Sequence, residues 1–287
     1  LSKTIDTLVE DIYEVVKGNG GWDATVSQFF KEELDDALKS RFNRPKPTSG
    51  APFKGTLRMS NIGTQCRRKL WYSVNVPVTQ QQFGGAKLLS FLYGDILEVL
   101  LISLAKAAGH EVWGEQDEFI VDGIKGHRDC VIDGVTIDIK TASNYSFKNK
   151  FLVGLTEDKD DFGYLSQLSS YVYADQDPRV SDTEGAFLVI DKSTGELVLD
   201  RHDLSDYVKD KLNEFQYVRG MTQSNLPPNR VYTDNPEGKA GNRVLSPPCS
   251  FCEYKETCWG NLRVFDYFNG PKYFTKVTKL PKVPEIT

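Results

Sequence analysis

Gly126-His127-Arg128-Asp129-Cys130-Val131-Ile132-Asp133-Gly134-Val135-Thr136-Ile137-Asp138-Ile139-Lys140-Thr141 is the stretch on which the fold of this chain turns. Residues 125–132 and 135–141 read as strands, the second rich in β-branched side chains. Asp133-Gly134 joins them, a dipeptide that tolerates the positive φ of a tight hairpin turn. Side chains alternate along a strand, so Asp138 and Lys140 share one face while Ile137 and Ile139 fill the other. Across the hairpin Asp129 can reach the polar face, with His127 and Val131 on its own side. Two carboxylates and a lysine then meet at one sheet edge.

Working outward, residues 118–121 read as a further strand ahead of the hairpin, and 86–108 as a long apolar helix. Downstream, an acidic loop at 157–161 leads into a helix over 162–174, two strands at 186–191 and 196–200, and a helix over 204–219. Upstream, 5–16 and 25–42 carry apolar residues at helical spacing. Arg44-Pro45-Lys46-Pro47 through Pro52 then breaks regularity. The expected architecture is α/β, a mixed central sheet flanked by helices, with a helical N-terminal extension over 1–55 and one domain over 56–287.

Composition is that of an ordinary globular chain: 287 residues, 39% apolar, 26% charged and 11% aromatic. With 35 Lys+Arg against 40 Asp+Glu, the net charge of −5 excludes an all-over basic nucleic-acid coat. Leu1-Ser2-Lys3-Thr4-Ile5-Asp6 is no signal peptide, and the absent initiator Met suggests a trimmed chain. The most apolar stretch, 88–108, carries Asp95, Glu98 and Lys106, charges costly at membrane depth, so it reads as a buried helix and no membrane partner is expected. Five cysteines, an odd number, fit a reducing, cytoplasmic compartment better than a disulfide framework.

Carboxylates at such an edge suit Mg²⁺ or Mn²⁺, hard ions that keep waters and leave room for a substrate phosphate. Lys140 can orient or deprotonate an attacking water and offset developing charge. Glu98, set among Leu97, Val99, Leu100 and Leu101, is a third candidate. A carboxylate in apolar surroundings is costly unless a cation or donors meet it. Taken singly, each of these residues reads more simply as a solvated hairpin face or a helix charge; together they point to a metal site.

Asp129, eight residues, then Asp138-Ile139-Lys140 resembles the divided Asp…(Asp/Glu)-x-Lys signature of the PD-(D/E)xK nuclease superfamily. Gly94-x-x-x-Glu98 resembles the Gly-x-x-x-His/Glu helix motif of its RecB-like branch, and Gln167-x-x-x-Tyr171 that branch's Gln-x-x-x-Tyr motif. The match spans about 64–259. Two departures stand out: Arg128 occupies the place of the naming Pro, and many members carry His where this chain has Glu98. The resemblance implies a restriction-endonuclease-like fold, with Glu98, Asp129, Asp138 and the Ile139 carbonyl binding metal. It also implies that Lys140 positions or activates the water. Gln167 and Tyr171, four apart on one helical face, can hydrogen-bond the Lys-bearing strand or a DNA phosphate.

Cys249-x-x-Cys252-x₅-Cys258 lies near the C-terminus, and Cys66 stands 183 positions before Cys249. Four thiolates suit either Zn²⁺ or an iron–sulfur cluster, and spacing alone leaves both open. One distant cysteine before the core and three after it resemble the iron–sulfur subgroup of RecB-like nucleases, including AddB-type subunits and CRISPR-associated RecB-like exonucleases. That resemblance implies that Cys66, Cys249, Cys252 and Cys258 ligate a [4Fe–4S] cluster. Cys130, next to Asp129, should face the core as a small apolar residue.

Local cationic patches can still bind DNA on an acidic chain. Arg67-Arg68-Lys69 beside Trp71 and Tyr72 is one candidate. Lys148 and Lys150, interleaved with Tyr145 and Phe147, form another, and the lysines of 272–282 with Tyr273 and Phe274 a third. Cations among aromatics suit single-stranded DNA. The expected function is a Mg²⁺- or Mn²⁺-dependent deoxyribonuclease, an exonuclease on single-stranded DNA ends. The competing readings are a non-catalytic DNA-binding subunit that keeps fold and cluster, and a cluster-bearing redox protein with incidental carboxylates.

Overall fold

The predicted hairpin forms, and its turn residues take the required backbone: Asp133 has φ 49° and Gly134 φ 80°. The structure is a computed structural model and describes residues 3–43, 52–79 and 84–286. The break expected from Arg44 therefore falls outside the described residues as far as position 51, as do residues 80–83 ahead of Gly84-Gly85.

In chain order the elements are α1 (Leu8–Glu14), α2 (Ala24–Phe42), β1 (Pro52–Phe53), α3 (Met59–Ile62), α4 (Arg67–Asn75), β2 (Val78–Thr79) and α5 (Gly85–Ala107). There follow β3 (Val112–Trp113), β4 (Glu118–Val121), β5 (Ile124–His127), β6 (Cys130–Ile132), β7 (Val135–Ala142), α6 (Asn144–Ser146), α7 (Tyr164–Ala174), β8 (Glu184–Asp191), β9 (Leu197–Asp203) and α8 (Ser205–Gln223). The C-terminal part holds β10 (Asn235–Glu237), β11 (Asn242–Val244), α9 (Pro247–Ser250), α10 (Lys255–Trp259), β12 (Arg263–Tyr267), β13 (Gly270–Lys276) and β14 (Glu285–Ile286).

The central sheet runs β3-β6-β7-β8-β9. The β7–β8 pair is parallel and the others antiparallel, so the sheet is mixed, and α6 and α7 make the crossover. Alternation along β7 divides the core. Ile137 and Ile139 join Cys130, Leu101, Ile102 and Ala105 on the α5 face. Ala142 joins Phe187, Val189, Leu165 and Leu168 on the α7 face. Each such large apolar side chain contributes about 1.5–3 kcal/mol over exposure. The fold class read from the sequence, a mixed α/β sheet with flanking helices and a helical N-terminal region, is the one observed.

The N-terminal helices are not merely appended, because Ile5, Leu8 and Ile12 belong to the same core cluster as the sheet. His110, its ring fully buried, ties them in: Nδ1 lies 2.6 Å from Asp133 of the hairpin turn and Nε2 3.4 Å from Asp11 of α1. Helix α5 is long and apolar enough to cross a bilayer. Its second half, from Leu97 onward, is largely buried against the sheet, while Leu88, Leu89 and Tyr93 in its first half are exposed.

Two expectations need correction. Residues 125–132 are two elements, not one strand: β5 pairs with β4 in a separate two-stranded sheet, and β6 pairs with β3 and β7. Asp129 stands in the break between them, while Val131 is fully buried and His127 lies half exposed beside Glu118 at 3.7 Å. The lysine-rich tail is a five-stranded antiparallel sheet, β10-β11-β13-β12-β14, closed over Phe265 and Phe274 with ring centroids 5.0 Å apart. Lys272 is paired with Glu237 at 2.8 Å. Phe274 is thus core rather than a surface for bases.

Candidate active site and cysteine cavity

Strand β6 ends where β7 continues. Cys130 pairs with Ile137, and among the described residues no strand pairs with the edge of β7 beyond it. The Asp129 side chain fills that gap, its Oδ2 accepting the Ile139 N–H at 2.7 Å. A strand residue directs N–H and C=O to the same edge, so the Ile139 carbonyl faces the same side as Asp129. Gly126, just before the break, packs against buried Met59: a Cβ there would lie 2.6 Å from the Met59 sulfur, which accounts for glycine at this position. Gly94 on α5 is under no such constraint, since its Cβ would stand at an ordinary 3.8 Å from Thr141 Oγ1.

Asp138 is 2% exposed and holds the Lys140 ammonium at 2.9 Å from Oδ1 and 2.7 Å from Oδ2. The Oδ2 contact is close but not directed, leaving that buried oxygen without a hydrogen-bond donor. Glu98 reaches the group from α5, accepting a 2.8 Å hydrogen bond from the Gln116 amide. Burial, then the charges of Asp138 and Asp95, push the Glu98 carboxyl up to about 7. Asp129 is raised well above the ordinary carboxylate range by burial and by the Glu98 and Asp138 charges. Burial works against the Lys140 ammonium, but Asp138 and Asp129 outweigh it and hold its pKa above that of a free lysine.

Among the described residues, no three Asp, Glu, His or Cys side chains stand in finished metal-ligand geometry. The donor set nevertheless fits a hard divalent cation. Carboxyls that repel one another and a strand carbonyl at an open edge are groups that a cation would stabilise together.

Gln167 and Tyr171 face each other on α7, with the Gln167 amide donating to the Tyr171 hydroxyl at 3.1 Å. Tyr171 is 2% exposed, and burial followed by the Asp138 charge raises its pKa. Its hydroxyl therefore backs the carboxylates from inside and is not placed on the surface to meet a phosphate.

Sequence reasoning missed Arg128. It is 1% exposed, donates to Asp117 at 2.8 Å and to Asp175 at the end of α7, and lies over the rings of Trp113 and Phe119. It pins the β5–β6 break to α7. Its partners, 11 and 47 residues away, account for a buried arginine. A cavity of about 960 Å³, lined by Tyr173, Asp175, Asp182 and Lys209 among others, contains none of the predicted site residues.

The four cysteines singled out by spacing come together across the length of the chain. Cys66, Cys249, Cys252 and Cys258 line one cavity of about 40 Å³, with Tyr72, Tyr254 and Trp259 in its wall and Lys69 and Lys255 at its rim. Burial pushes the Cys66 thiol up, opposed by the Lys69 and Arg68 backbone N–H groups and reinforced by Cys249 and Cys258. Cys252 is likewise raised by burial, with the Tyr254 N–H and Lys69 opposing. Four thiols in an aromatic-walled cavity that receives backbone N–H groups fit a thiolate-bound metal or cluster. Cys130 is fully buried in the core, as expected.

The cationic patches fare differently. Arg67 is bound to the Ile62 carbonyl and to Glu214 at 3.2 Å, and Arg68 donates to the Pro228 carbonyl at 2.7 Å. Both arginines hold the fold together. Lys148 is exposed; Lys150 is paired with Asp161 at 2.7 Å; Phe147 is buried.

No protein family and no curated protein matches the chain. Among solved structures, one described as the crystal structure of SSO0001 is similar, at 18% sequence identity, 81% of this chain, 94% of that chain and a TM-score of 0.39. The likeness is too loose to bear on the site.

Proposed function

We propose that the protein is a Mg²⁺- or Mn²⁺-dependent deoxyribonuclease acting on single-stranded DNA ends, stabilised by a [4Fe–4S] cluster on Cys66, Cys249, Cys252 and Cys258. The supporting observation is the convergence of Glu98, Asp129 and Asp138 on Lys140 at the open edge of β7. Glu98, Asp129, Asp138 and the Ile139 carbonyl would hold the cation, which supplies Lewis acidity to a phosphoryl oxygen and to water.

The remaining work falls to the protein's own groups. Lys140, held as an ammonium by Asp138, is a donor and not a base; it orients the attacking water and offsets charge growing on the phosphoryl oxygens. Asp138 fixes that ammonium, Gln116 fixes Glu98, and the Gln167–Tyr171 pair closes the buried side. The test is degradation of 5′- and 3′-labelled single strands by purified protein with Mg²⁺ or Mn²⁺, which reveals polarity as well as activity. Anaerobically purified protein should be brown; a colourless preparation with stoichiometric zinc would reject the cluster.

A further inference from the structure

Phe162 is an apolar ring displayed in the open directly beside the lysine of the candidate site. It is 63% exposed. Its ring stacks on Tyr164 with centroids 5.3 Å apart and planes at 25°. Tyr164 in turn lies under the Lys140 ammonium, 4.7 Å from the ring centroid. Phe162 is therefore one ring removed from the group assigned to the attacking water.

Its exposure is built in. Buried Asp160 accepts the backbone N–H groups of Gly163, Tyr164 and Leu165, each at 2.9 Å, and fixes the turn that carries Phe162 into α7. Gly163 takes φ 77° and packs backbone to backbone on Gly63. Lys150, held by Asp161 at 2.7 Å, places its ammonium 5.7 Å from the Phe162 centroid. An aromatic ring held on a tied turn with a cation beside it is the arrangement on which a nucleobase stacks while its phosphate meets positive charge.

We propose that Phe162, backed by Tyr164, is the stacking step for the base of the nucleotide flanking the scissile phosphate, and that it makes the site selective for unpaired strands. Inside a duplex both faces of a base are covered by its neighbours, so beyond the terminal pair the step is available only to a strand that has left the helix. This rests on the nuclease reading above.

The test compares wild type, Phe162→Ala and Phe162→Trp on an oligothymidylate strand and on the same strand carrying one abasic site next to the cut. Phe162→Ala should raise KM roughly tenfold, which is about 1.4 kcal/mol, with the loss falling on KM rather than kcat. Trp should restore KM. The abasic strand should cost wild type a similar factor and cost Phe162→Ala nothing more, since both changes remove the same contact. An unchanged KM in Phe162→Ala, or abasic and Ala effects that multiply, overturns the stacking step while leaving the nuclease reading intact. Absence of any metal-dependent cleavage by wild type overturns both.

Discussion

Replacing Glu98 by Gln in protein kept free of divalent metal should stabilise it, by an amount that depends on pH. Its carboxyl is held from an ordinary 4.5 up to about 7, chiefly by burial and by the Asp138 charge. That corresponds to about 3 kcal/mol of native-state stability. The sign follows from proton counting. Below pH 4.5 the carboxyl is protonated whether folded or unfolded, and it contributes no penalty. Between 4.5 and 7 the folded state binds more protons than the unfolded one, so stability falls as pH rises. Above 7 the full penalty is present. The amide that Glu98→Gln introduces cannot ionise, so the variant carries none of this dependence. Urea-unfolding midpoints measured from pH 4.5 to 8.5 in chelator should coincide at the acid end and separate to about 3 kcal/mol in favour of Glu98→Gln by pH 8. Saturating Mn²⁺ should then raise wild type toward the variant, because a cation stabilises the ionised carboxylates. Parallel pH profiles for the two proteins would mean that the Glu98 carboxylate carries no such penalty.

Three further outcomes follow from the packing. Gly163→Ala puts a Cβ at 2.4 Å from the Gly63 backbone at a residue with φ 77°, and should cost on the order of 2–4 kcal/mol in urea unfolding. Glu214→Ala leaves the Lys211 ammonium, 1% exposed, without its 2.8 Å partner and Arg67 without its 3.2 Å one. A loss of about 3 kcal/mol is expected, with Glu214→Gln, which keeps the Ser166 hydrogen bonds, between it and wild type. If the proposed cluster is present, Cys66→Ser should remove bound iron and the brown colour together and lower stability by up to about 5 kcal/mol, because the cluster would close a loop from Cys66 to Cys249; iron analysis and unfolding on the same samples check both.

The parts of this molecule that follow short periods were legible in its sequence. The Asp133-Gly134 turn, the split of Ile137 and Ile139 from Asp138 and Lys140, and the buried second half of α5 all follow from alternation or helical spacing. The errors lie where a partner far along the chain decides the outcome. Residues 125–132 keep an alternating pattern through Arg128, and only Asp175 and Asp117 turn that arginine inward and end the strand. Arg67 and Arg68 read as a free patch because Glu214 and Pro228 are distant in sequence. In the tail, Phe265 and Phe274 are buried only by pairing across β12 and β13, and their lysine neighbours hid that. Phe162 reads in sequence as no more than the start of a helix, since its link to Lys140 runs through Tyr164 in space.

The proposed nuclease site rests on the carboxylates around Lys140. The direct measurement is release of labelled nucleotides from single-stranded DNA by the purified protein with Mg²⁺ or Mn²⁺, set beside Asp138→Ala, Lys140→Ala and a chelator control. Cleavage by wild type alone is expected, at least about hundredfold above either variant, and none in chelator. Cleavage that persists in Asp138→Ala or in chelator would contradict the proposed site.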